Sequence, residues 1–265
     1  MIFQENTTVL WNREITPGIY RLALQSRHMA AEAAAGRFVM VRIDPAVFLR
    51  RPFSIHRLVA GKGPPEGIEL LYKVVGPGTR RLSKYGAGQS LDVLGPVGRS
   101  FRLPEGVQKV LITAGGIGVA PLFFLAQTLI RQRRIAPGDI QSFIGAQNVR
   151  EALCAEDFER LGIPTTVTTD DGSCGLQCLV TQPLAAAIAA SRPDAIYACG
   201  PPAMLKCVAD MAFDRHIFCQ VSVETLMACG MGVCLGCAVE RRDKAGSYLH
   251  ACTDGPVFDA SRIRL

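Results

Sequence analysis

The sequence predicts a β + α/β fold: an antiparallel Greek-key barrel, then a parallel-sheet domain, then a cysteine-rich C-terminal segment. Short alternating apolar stretches between glycine and proline clusters predict the barrel over residues 1–102. A regular alternation of strand-like and helix-like stretches predicts the second domain over residues 103–220. The alternation stops there, and residues 221–265 are rich in glycine and cysteine. At 265 residues the chain is long enough for two domains with buried cores.

The barrel prediction depends on stretches in which apolar residues alternate with polar or small ones. They are YRLAL (20–24), RFVMVRI (37–43) and IELLYKVV (68–75). Clusters such as AGKGPPEG separate them, and clusters of this composition mark turns. Several short strands joined by such turns favour a small antiparallel barrel.

The second domain is predicted from apolar strands that alternate with helical stretches. The strands are KVLITAG, IQSFIGA, PTTVTTD and AIYACG, and the helical stretches include APLFFLAQTLIRQRR and PPAMLKCVADMAFDRH. This alternation is typical of a parallel sheet with helices on both faces. Residues 110–130 carry no charge over a length that could cross a bilayer. Gly115, Gly116, Gly118 and Pro121 interrupt them, which favours a buried strand, a glycine turn and a buried helix over a membrane span.

Composition and charge disfavour binding to nucleic acid. The 29 basic and 23 acidic residues are dispersed, and aromatic residues do not interleave with the short basic pairs. The first residues, MIFQENTTVLWNREI, lack the basic and apolar regions of a secretory signal. We therefore expect a cytoplasmic protein whose ten cysteines serve metal binding or chemistry rather than disulfides. The four histidines are scattered, which is consistent with redox chemistry carried by cofactors.

Four cysteines near the end of the chain have the most specific spacing. They follow the pattern C-x4-C-x2-C with a more distant fourth member, and they are Cys229, Cys234, Cys237 and Cys252. This is the plant-type spacing of a [2Fe–2S] cluster, which needs four converging thiolates. The glycines between them let the backbone come close and turn N–H groups toward the sulfurs; these are Gly230, Gly232 and Gly236. A structural zinc site, or four unrelated core cysteines, are the alternatives.

The stretch LRRPFSIH (49–56) resembles the flavin-binding signature of the ferredoxin-reductase family, and LYKVVGPGT (71–79) follows it in the order of that family. The resemblance implies that Arg51 meets the pyrophosphate of FAD, that Phe53 packs on the flavin ring, and that Ser54 hydrogen-bonds near the reactive nitrogen N5. The further FAD contacts that it implies are Pro52, Leu71, Tyr72, Lys73, Gly78 and Thr79. LGPVGRSF (94–101) resembles the turn that closes the barrel in this family.

The stretch ITAGGIGVAP (112–121) predicts a strand, a glycine turn and the start of a helix, whose N–H groups can face an anion. Pro121 stands where the G-x-G-x-x-G fingerprint needs its third glycine. The stretch resembles instead the nicotinamide-domain turn of ferredoxin reductases, whose partner strand end is present as YACGPPAM (197–204). The nicotinamide contacts that this implies are Gly115, Gly116, Gly118, Cys199, Gly200 and Pro201. A plain strand–helix turn is the alternative.

The stretch TTDDGS (168–173) bears on the choice between NADH and NADPH. Asp170 or Asp171 would favour a ribose hydroxyl over a phosphate, which predicts NADH. Arg160 is the one basic residue between Cys154 and Ser191, so a clamp for a 2′-phosphate is not evident. Alternatively, both aspartates simply form a turn.

The order of these motifs along nearly the whole chain resembles the electron-transfer subunit of B-type, NAD-linked dihydroorotate dehydrogenase. The cysteine segment together with ACTDGPVFDA is the most specific part of the resemblance. It implies FAD, NAD(H) and a heterotetramer with an FMN-containing catalytic subunit. It also implies one [2Fe–2S] cluster with the ligands Cys229, Cys234, Cys237 and Cys252. Cys178 departs from the family, in which glycine is expected at that place, as does Phe53, where a smaller aliphatic residue is common.

The resemblance also implies which centre does what. A nicotinamide exchanges a hydride, a cluster passes single electrons, and FAD can do both, so FAD is expected between them. Dihydroorotate chemistry, in pyrimidine biosynthesis, would then belong to the partner subunit. The nearest alternative is the flavin and cluster subunit of another NAD(P)H:acceptor oxidoreductase, linked to ferredoxin or to a hydrogenase. A remote alternative is a zinc-binding or redox-sensing module without enzymatic activity.

Overall fold

The structure, a computed structural model, describes residues 1–44, 47–133 and 135–265. Its contacts divide the chain into two units. The barrel unit comprises residues 1–100, 224–238 and 249–256, and the sheet unit comprises residues 101–223, 239–248 and 257–265. The cysteine-rich segment is therefore shared between them: its cysteine-bearing stretches belong to the barrel unit and its last residues to the sheet unit.

In its described part, the barrel unit is built on six antiparallel strands. They are β1 (Phe3–Thr16), β2 (Ile19–Gln25), β3 (Phe38–Arg42), β4 (Arg51–Val59), β5 (Gly67–Lys73) and β6 (Ser90–Val97). Two short helices, α1 (Arg27–Glu32) and α2 (Pro77–Leu82), lie between strands. The strands close in the order β1-β2-β5-β4-β3-β6, which confirms the predicted antiparallel barrel.

Burial of apolar side chains holds the barrel closed. Every strand contributes at least one side chain with no exposed surface, and examples in strand order are Val9, Leu22, Val39, Ile55, Leu70 and Val93. Each such side chain stabilises the fold by about 1.5–3 kcal/mol relative to its exposed state. Closure also leaves the barrel without an unpaired strand edge.

Within the described residues of the sheet unit, five parallel strands alternate with four helices. They are β7 (Val110–Gly115), α3 (Val119–Arg133), β8 (Ile140–Ala146), α4 (Ala155–Arg160), β9 (Thr165–Thr169), α5 (Thr181–Ser191), β10 (Ala195–Cys199), α6 (Pro202–Asp214) and β11 (Phe218–Ser222). The strands pair in the order β11-β10-β7-β8-β9, which confirms the predicted parallel sheet.

The end of the chain adds three short strands, β12 (Ala238–Glu240), β13 (Tyr248–His250) and β14 (Val257–Asp259). β12 and β13 form a two-stranded sheet. β14 pairs antiparallel with β11 as an edge strand, with Phe258 opposite Val221. The sequence predicts neither β11 nor β14. β14 spans three residues, too few to display a period, and β11 crosses residue 220, where the strand–helix alternation is expected to stop.

The uncharged residues 110–130 form β7, a 3-10 turn at Gly116–Gly118 and most of α3, as predicted for a strand, a glycine turn and a buried helix. Both elements are buried, with Ile112 and Leu125 at most 1% exposed. Among the residues that the structure describes, no helix is long and apolar enough to cross a membrane.

Replacement of Gly118 by alanine is expected to destabilise the sheet unit. A Cβ atom at this position would lie 2.4 Å from the carbonyl oxygen of Cys199 and 2.8 Å from the backbone nitrogen of Gly200. Because these are backbone atoms at the end of β10, the strand must shift to make room. We expect the free energy of unfolding to fall by about 1–3 kcal/mol, measured by urea denaturation followed by circular dichroism.

Gly138→Ala is the matched control for this substitution. No atom lies within 4 Å of the position that its Cβ would take. Its free energy of unfolding should stay within about 0.5 kcal/mol of the original protein. Equal losses in the two variants would show that the contact with β10 is unimportant.

Candidate functional site

The four cysteines of the predicted cluster site all lie in the barrel unit. Cys237 and Cys252 are buried and their Sγ atoms are 3.3 Å apart. Cys229 is half-buried, Cys234 is exposed, and all four are free thiols. In the described residues, no group of three or more His, Cys, Asp and Glu side chains is close enough to hold a single metal ion.

Backbone N–H groups point at two of the sulfurs. The N–H groups of Met231 and Cys234 each lie 3.4 Å from Sγ of Cys229, and that of Gly232 lies 3.2 Å from Sγ of Cys252. Hydrogen bonds of this kind stabilise anionic sulfur and tune the metal that it binds. All three donors lie in the first cysteine-bearing stretch, and they serve one sulfur atom of that stretch and one of the second.

Left-handed backbone conformations give the loop this geometry. Gly230 has φ +71° and Gly232 has φ +84°, a region that side chains disfavour. A Cβ atom on Gly232 would also meet Cγ2 of Thr253 at 2.8 Å. Gly236 does not adopt a positive φ, and Leu235 before it does, at +58°. Gly230 and Gly232 thus have the positive φ that the sequence predicts. Gly236 does not, and the residue before it, Leu235, is left-handed instead.

The thiols of this loop differ in how readily they ionise. Burial opposes ionisation of Cys229, but N–H groups of the loop outweigh it and lower the pKa of this thiol to about 6. Burial, with the neighbouring Cys237 thiol, raises the pKa of Cys252 to about 12. Thiolates are the form that binds metal, and a bound cation supplies the charge that a buried thiol needs to ionise. The donor set therefore fits an iron–sulfur cluster.

Residues far away in the sequence hold the cysteine loop in place. Arg99 donates its backbone N–H to the carbonyl of Gly255 at 2.6 Å and its Nε–H to the carbonyl of Thr253 at 3.1 Å. Gly230 packs on Met40 of β3, since a Cβ atom there would lie 2.5 Å from Cγ of Met40. The sequence places Arg99 in the turn LGPVGRSF and Met40 in the strand stretch RFVMVRI but does not link either of them to the cysteines, because only the folded chain brings them together.

The residues of the flavin-like motif lie on β4. Its register with β3 places Pro52 opposite Met40 and Ser54 opposite Phe38. Phe53 is only 8% exposed, and its ring meets that of Tyr72 edge-on at 5.7 Å. The hydroxyl group of Tyr72 donates to Asn12 in the barrel, and burial raises its pKa. Phe53, Tyr72 and the buried Leu71 are thus mainly packed into the barrel in this structure.

The start of α2 brings together the residues that the family resemblance assigns to phosphate. Thr79 accepts hydrogen bonds from the N–H groups of Val75 and Gly76, which fixes the turn into the helix. Nε of Arg51 would lie 3.3 Å from a Cβ atom on Gly78, so the guanidinium group packs closely against the start of α2 at this glycine. The combination of a planar cation and a glycine turn fits a diphosphate.

A cavity of about 610 Å³ opens beside α2 and carries an excess of positive charge. Its lining residues are Asp44, Pro77, Arg80, Arg81, Lys84, Tyr85 and Gln89. Asp44 pairs with Arg81 at 2.9 Å, which leaves two further cations in the lining. Arg80 and Arg81 are one of the short basic pairs of the sequence, and only the fold places them around one cavity.

The two nicotinamide-type motifs meet in the sheet unit. β7 and β10 are neighbours, with Ala114 opposite Cys199. A Cβ atom on Gly115 would lie 2.5 Å from Cδ of Pro201, and one on Gly200 would lie 2.9 Å from Cα of Gly115. Backbone therefore packs directly on backbone at the carboxyl ends of these strands, the edge at which open α/β sheets bind ligands. Cys199 is 4% exposed, so little of its thiol is accessible.

The aspartate pair after β9 is resolved into two different roles. The carboxylate of Asp171 accepts from the backbone N–H and the hydroxyl group of Ser173, at 2.9 and 2.6 Å, which lowers its pKa. The hydroxyl oxygen of Ser173 in turn accepts from the N–H of Val149, so this loop is held to the turn Val149–Glu151. Asp171 thus stabilises the loop, and the exposed carboxylate of Asp170 is the better candidate for a ligand contact.

Comparison with known proteins gives two family matches. Residues 224–264 match the iron–sulfur cluster binding domain of dihydroorotate dehydrogenase B. Residues 112–210 match the oxidoreductase NAD-binding domain. Among solved structures, the NADH-dependent reduced ferredoxin-NADP oxidoreductase superposes with a TM-score of 0.83 at 26% identity, covering 97% of this chain and 89% of that one. A ferredoxin NADP+ reductase from Neisseria gonorrhoeae with bound FAD and NADP shares the fold, with a TM-score of 0.66 at 16% identity over 80% of this chain and 91% of that one.

Curated relatives match along almost the entire chain. A protein of Caldanaerobacter subterraneus is 37% identical over 99% of both chains, and one of Streptococcus thermophilus is 38% identical over 99% of both. Each is named as the electron transfer subunit of dihydroorotate dehydrogenase B (NAD(+)). The structure contains a cysteine loop, the flavin-like motif on β4 and the glycine turns that meet at the ends of β7 and β10. The chain belongs to the family of dihydroorotate dehydrogenase B (NAD(+)) electron transfer subunits.

Proposed function

We propose that this chain holds FAD and one [2Fe–2S] cluster and links an FMN-containing dihydroorotate dehydrogenase catalytic subunit to NAD+ in pyrimidine biosynthesis. The observation that carries the proposal is that the four thiols and the β4 motif belong to one unit of the structure, while the nicotinamide-type turns belong to the other. When bound, the flavin supplies the exchange between hydride transfer and the one-electron chemistry of the cluster. The protein residues supply binding, orientation and charge.

We assign the cluster ligands as the four cysteines of the barrel unit, Cys229, Cys234, Cys237 and Cys252. Their supporting donors are the N–H groups of Met231, Gly232 and Cys234, which lie 3.2 to 3.4 Å from sulfur. Donors at these positions lessen the cost of collecting negative charge on a compact centre. The free thiols elsewhere in the chain favour a reducing compartment such as the cytoplasm.

We assign the FAD contacts to β4, β5 and α2. Arg51 beside Gly78 and Thr79 would hold the diphosphate, and the cations around the neighbouring cavity add attraction for it. Ser54 and Pro52 would face the flavin ring from β4, and Phe53, assigned to the same site, would support the strand from its other face, where its ring meets Tyr72. The remaining assigned positions are Leu71, Tyr72 and Lys73 on β5.

We assign NAD(H) to the carboxyl edge of the sheet unit. Gly115, Gly116 and Gly118 shape the turn into α3, whose first N–H groups favour an anion. Cys199, Gly200 and Pro201 lie against this turn and would flank the nicotinamide. Asp170 would accept from the adenosine ribose hydroxyl groups and so favour NADH over NADPH.

We assign the partner contact to the apolar surface of the cysteine loop, because one-electron transfer requires a short gap between centres. Its exposed members are Leu226, Met231, Val233 and Leu235, of which Leu226 is 92% and Val233 75% exposed. Exposed apolar side chains grouped in one segment mark protein–protein contacts. The partner would be the FMN-containing catalytic subunit, and the complex a heterotetramer.

A second candidate in the same class is the flavin and cluster subunit of another NAD(P)H:acceptor oxidoreductase. The superposition on the reduced ferredoxin-NADP oxidoreductase structure supports it. The curated relatives, which are more similar in sequence, favour the dihydroorotate system. The test is the reduction of NAD+ with either dihydroorotate or reduced ferredoxin as the electron donor, in the presence of the purified FMN subunit. Reduction with dihydroorotate alone supports the proposal, and reduction with ferredoxin alone supports the second candidate.

The anaerobically purified chain is expected to show flavin absorbance and an iron–sulfur shoulder, both bleached by NADH.

Cys252→Ser should remove the iron–sulfur shoulder and the bound iron while FAD remains, because a hydroxyl group in place of this thiol leaves the cluster without its fourth ligand. Absorbance spectra with iron, sulfide and flavin assays measure this. Cys207→Ser, at an exposed position on α6, is the control and should keep both cofactors. A colourless zinc-containing protein that is indifferent to NADH would contradict the proposal.

Asp170→Ser is expected to weaken the preference for NADH. Loss of a charged hydrogen bond to the ribose costs about 1.5–3 kcal/mol, or roughly tenfold to 100-fold in kcat/KM for NADH. NADPH should be affected less, because a carboxylate repels its 2′-phosphate. Steady-state rates with both cofactors measure the ratio. Asp171→Ser is the control: it should disturb the loop held by Ser173 and impair both cofactors alike. An unchanged ratio in Asp170→Ser would contradict the assignment.

Val233→Glu is expected to weaken binding of the catalytic subunit without loss of cofactors. A carboxylate at a position that a partner buries must be desolvated without a counter-ion, which costs several kcal/mol. Co-purification and calorimetric titration with the catalytic subunit measure the loss. Ile2→Glu, an exposed apolar position outside the cysteine loop, is the control and should bind normally. Normal binding by Val233→Glu would place the partner elsewhere.

A further inference from the structure

We propose that Met40 is a positioning residue that sets the spacing between the cysteine loop and the flavin strand β4, and thereby the rate of one-electron transfer between the groups that they hold. This inference rests on the proposed function. Met40, the cysteine loop and β4 all belong to the barrel unit.

Met40 lies in the middle of β3, between the two strands that flank it in the closed barrel. Its neighbours across the ladders are Pro52 on β4 and Leu94 on β6. The side chain has no exposed surface. Because residues directly opposite each other in an antiparallel pair share a face, Met40 and Pro52 lie on the same face of the barrel wall.

The side chain of Met40 is in contact with the cysteine loop. A Cβ atom on Gly230 would lie 2.5 Å from Cγ of Met40, 2.9 Å from Sδ and 3.2 Å from Cε. Gly230 follows Cys229 directly and adopts φ +71°, so this contact is made at the point where the loop bends away from its first cysteine. A flexible thioether adapts its shape to such an irregular gap.

The residue two positions earlier on β3 and the other cysteine-bearing stretch both pack around Gly98. A Cβ atom on Gly98 would lie 2.8 Å from Cε1 of Phe38, 2.7 Å from Cδ of Pro256 and 2.9 Å from the carbonyl oxygen of Gly255. Phe38 pairs with Ser54 of β4. Met40 therefore packs against the first cysteine-bearing stretch, and Phe38 lies beside the second around Gly98. The same two residues of β3 stand opposite Pro52 and Ser54.

The contact between Met40 and Gly230 is made on β3, and β4, which carries the flavin-like motif, is the next strand of the barrel. Neighbouring strands lie about 4.7–4.9 Å apart, and the ladder between β3 and β4 holds that distance rigidly. The contact of Met40 with Gly230 is a packing contact and can relax. Shortening this side chain lets the loop move relative to β4, and one-electron transfer falls steeply as the gap between donor and acceptor widens.

The test compares Met40→Ala with Met40→Leu and Met29→Ala. Stopped-flow mixing of the holoprotein with NADH, read separately at flavin and cluster wavelengths, resolves flavin reduction from cluster reduction. Met40→Ala should slow cluster reduction by about tenfold to 100-fold, because a displacement of about 1 Å between reacting groups can change a rate by this much. Flavin reduction should be unchanged. Met40→Leu, which conserves volume, should restore the original rate.

Met29→Ala is the control for general destabilisation. Met29 is equally buried in the barrel unit but lies on α1, away from β3. It should lower the melting temperature about as much as Met40→Ala does while leaving cluster reduction unchanged. The midpoint potentials and the electron paramagnetic resonance spectrum of the reduced cluster should be the same in all variants, which separates a change of distance from a change of driving force.

Met40→Val covers the case in which the alanine variant does not fold. Valine suits a strand and lacks the Sδ and Cε atoms that reach Gly230, so it should also slow cluster reduction. An unchanged rate in the truncated variants, an equal slowing in Met29→Ala, or a shift in potential that accounts for the slowing would overturn the inference. Failure of the original protein to bind flavin and cluster, or to be reduced by NADH, would instead contradict the proposed function.

Discussion

The seating of the cysteine loop on the barrel is the constraint on which the rest of the barrel unit depends. The loop has little regular secondary structure, and its left-handed residues are costly to order. Packing of Gly230 on Met40 and the hydrogen bonds from Arg99 to Gly255 and Thr253 hold it from two sides. Only with the backbone fixed in this way do its N–H groups stay aimed at sulfur.

Glycines allow close approach of the backbone in both units, and the effect differs between them. In the sheet unit, Gly115 and Gly200 remove the side chains that would keep the ends of β7 and β10 apart. In the barrel unit, Gly232 lets the chain turn an N–H group toward Cys252 beside Thr253. The first use brings two backbone segments together at the carboxyl edge of a sheet, and the second aims a hydrogen-bond donor at sulfur. Glycine therefore permits close packing in the sheet unit and permits hydrogen bonding to sulfur in the barrel unit.

Charged groups divide in a similar way between structure and function. Asp171 is committed to Ser173 and shapes its loop, whereas Asp170 beside it remains exposed. Around the cavity at α2, Asp44 pairs with Arg81, whereas Arg80 and Lys84 add positive charge to the lining. Neighbouring residues of one type thus have different roles, and the hydrogen bonds of the folded chain distinguish them.

The amino-acid sequence by itself determined those features that are encoded in short spacings. The cysteine pattern, the β4 motif, the glycine turns and the periodicity of the strands each occupy a few consecutive positions, so local chemistry sufficed to predict a barrel, a parallel sheet and a cluster site. Tertiary structure alone decided that the cysteine segment is shared between two units, that β14 completes the sheet, that Leu235 rather than Gly236 is left-handed, and that Met40 and Arg99 support the loop. These features depend on contacts between residues far apart in the chain, and no local period or motif records which distant side chain will fill a gap.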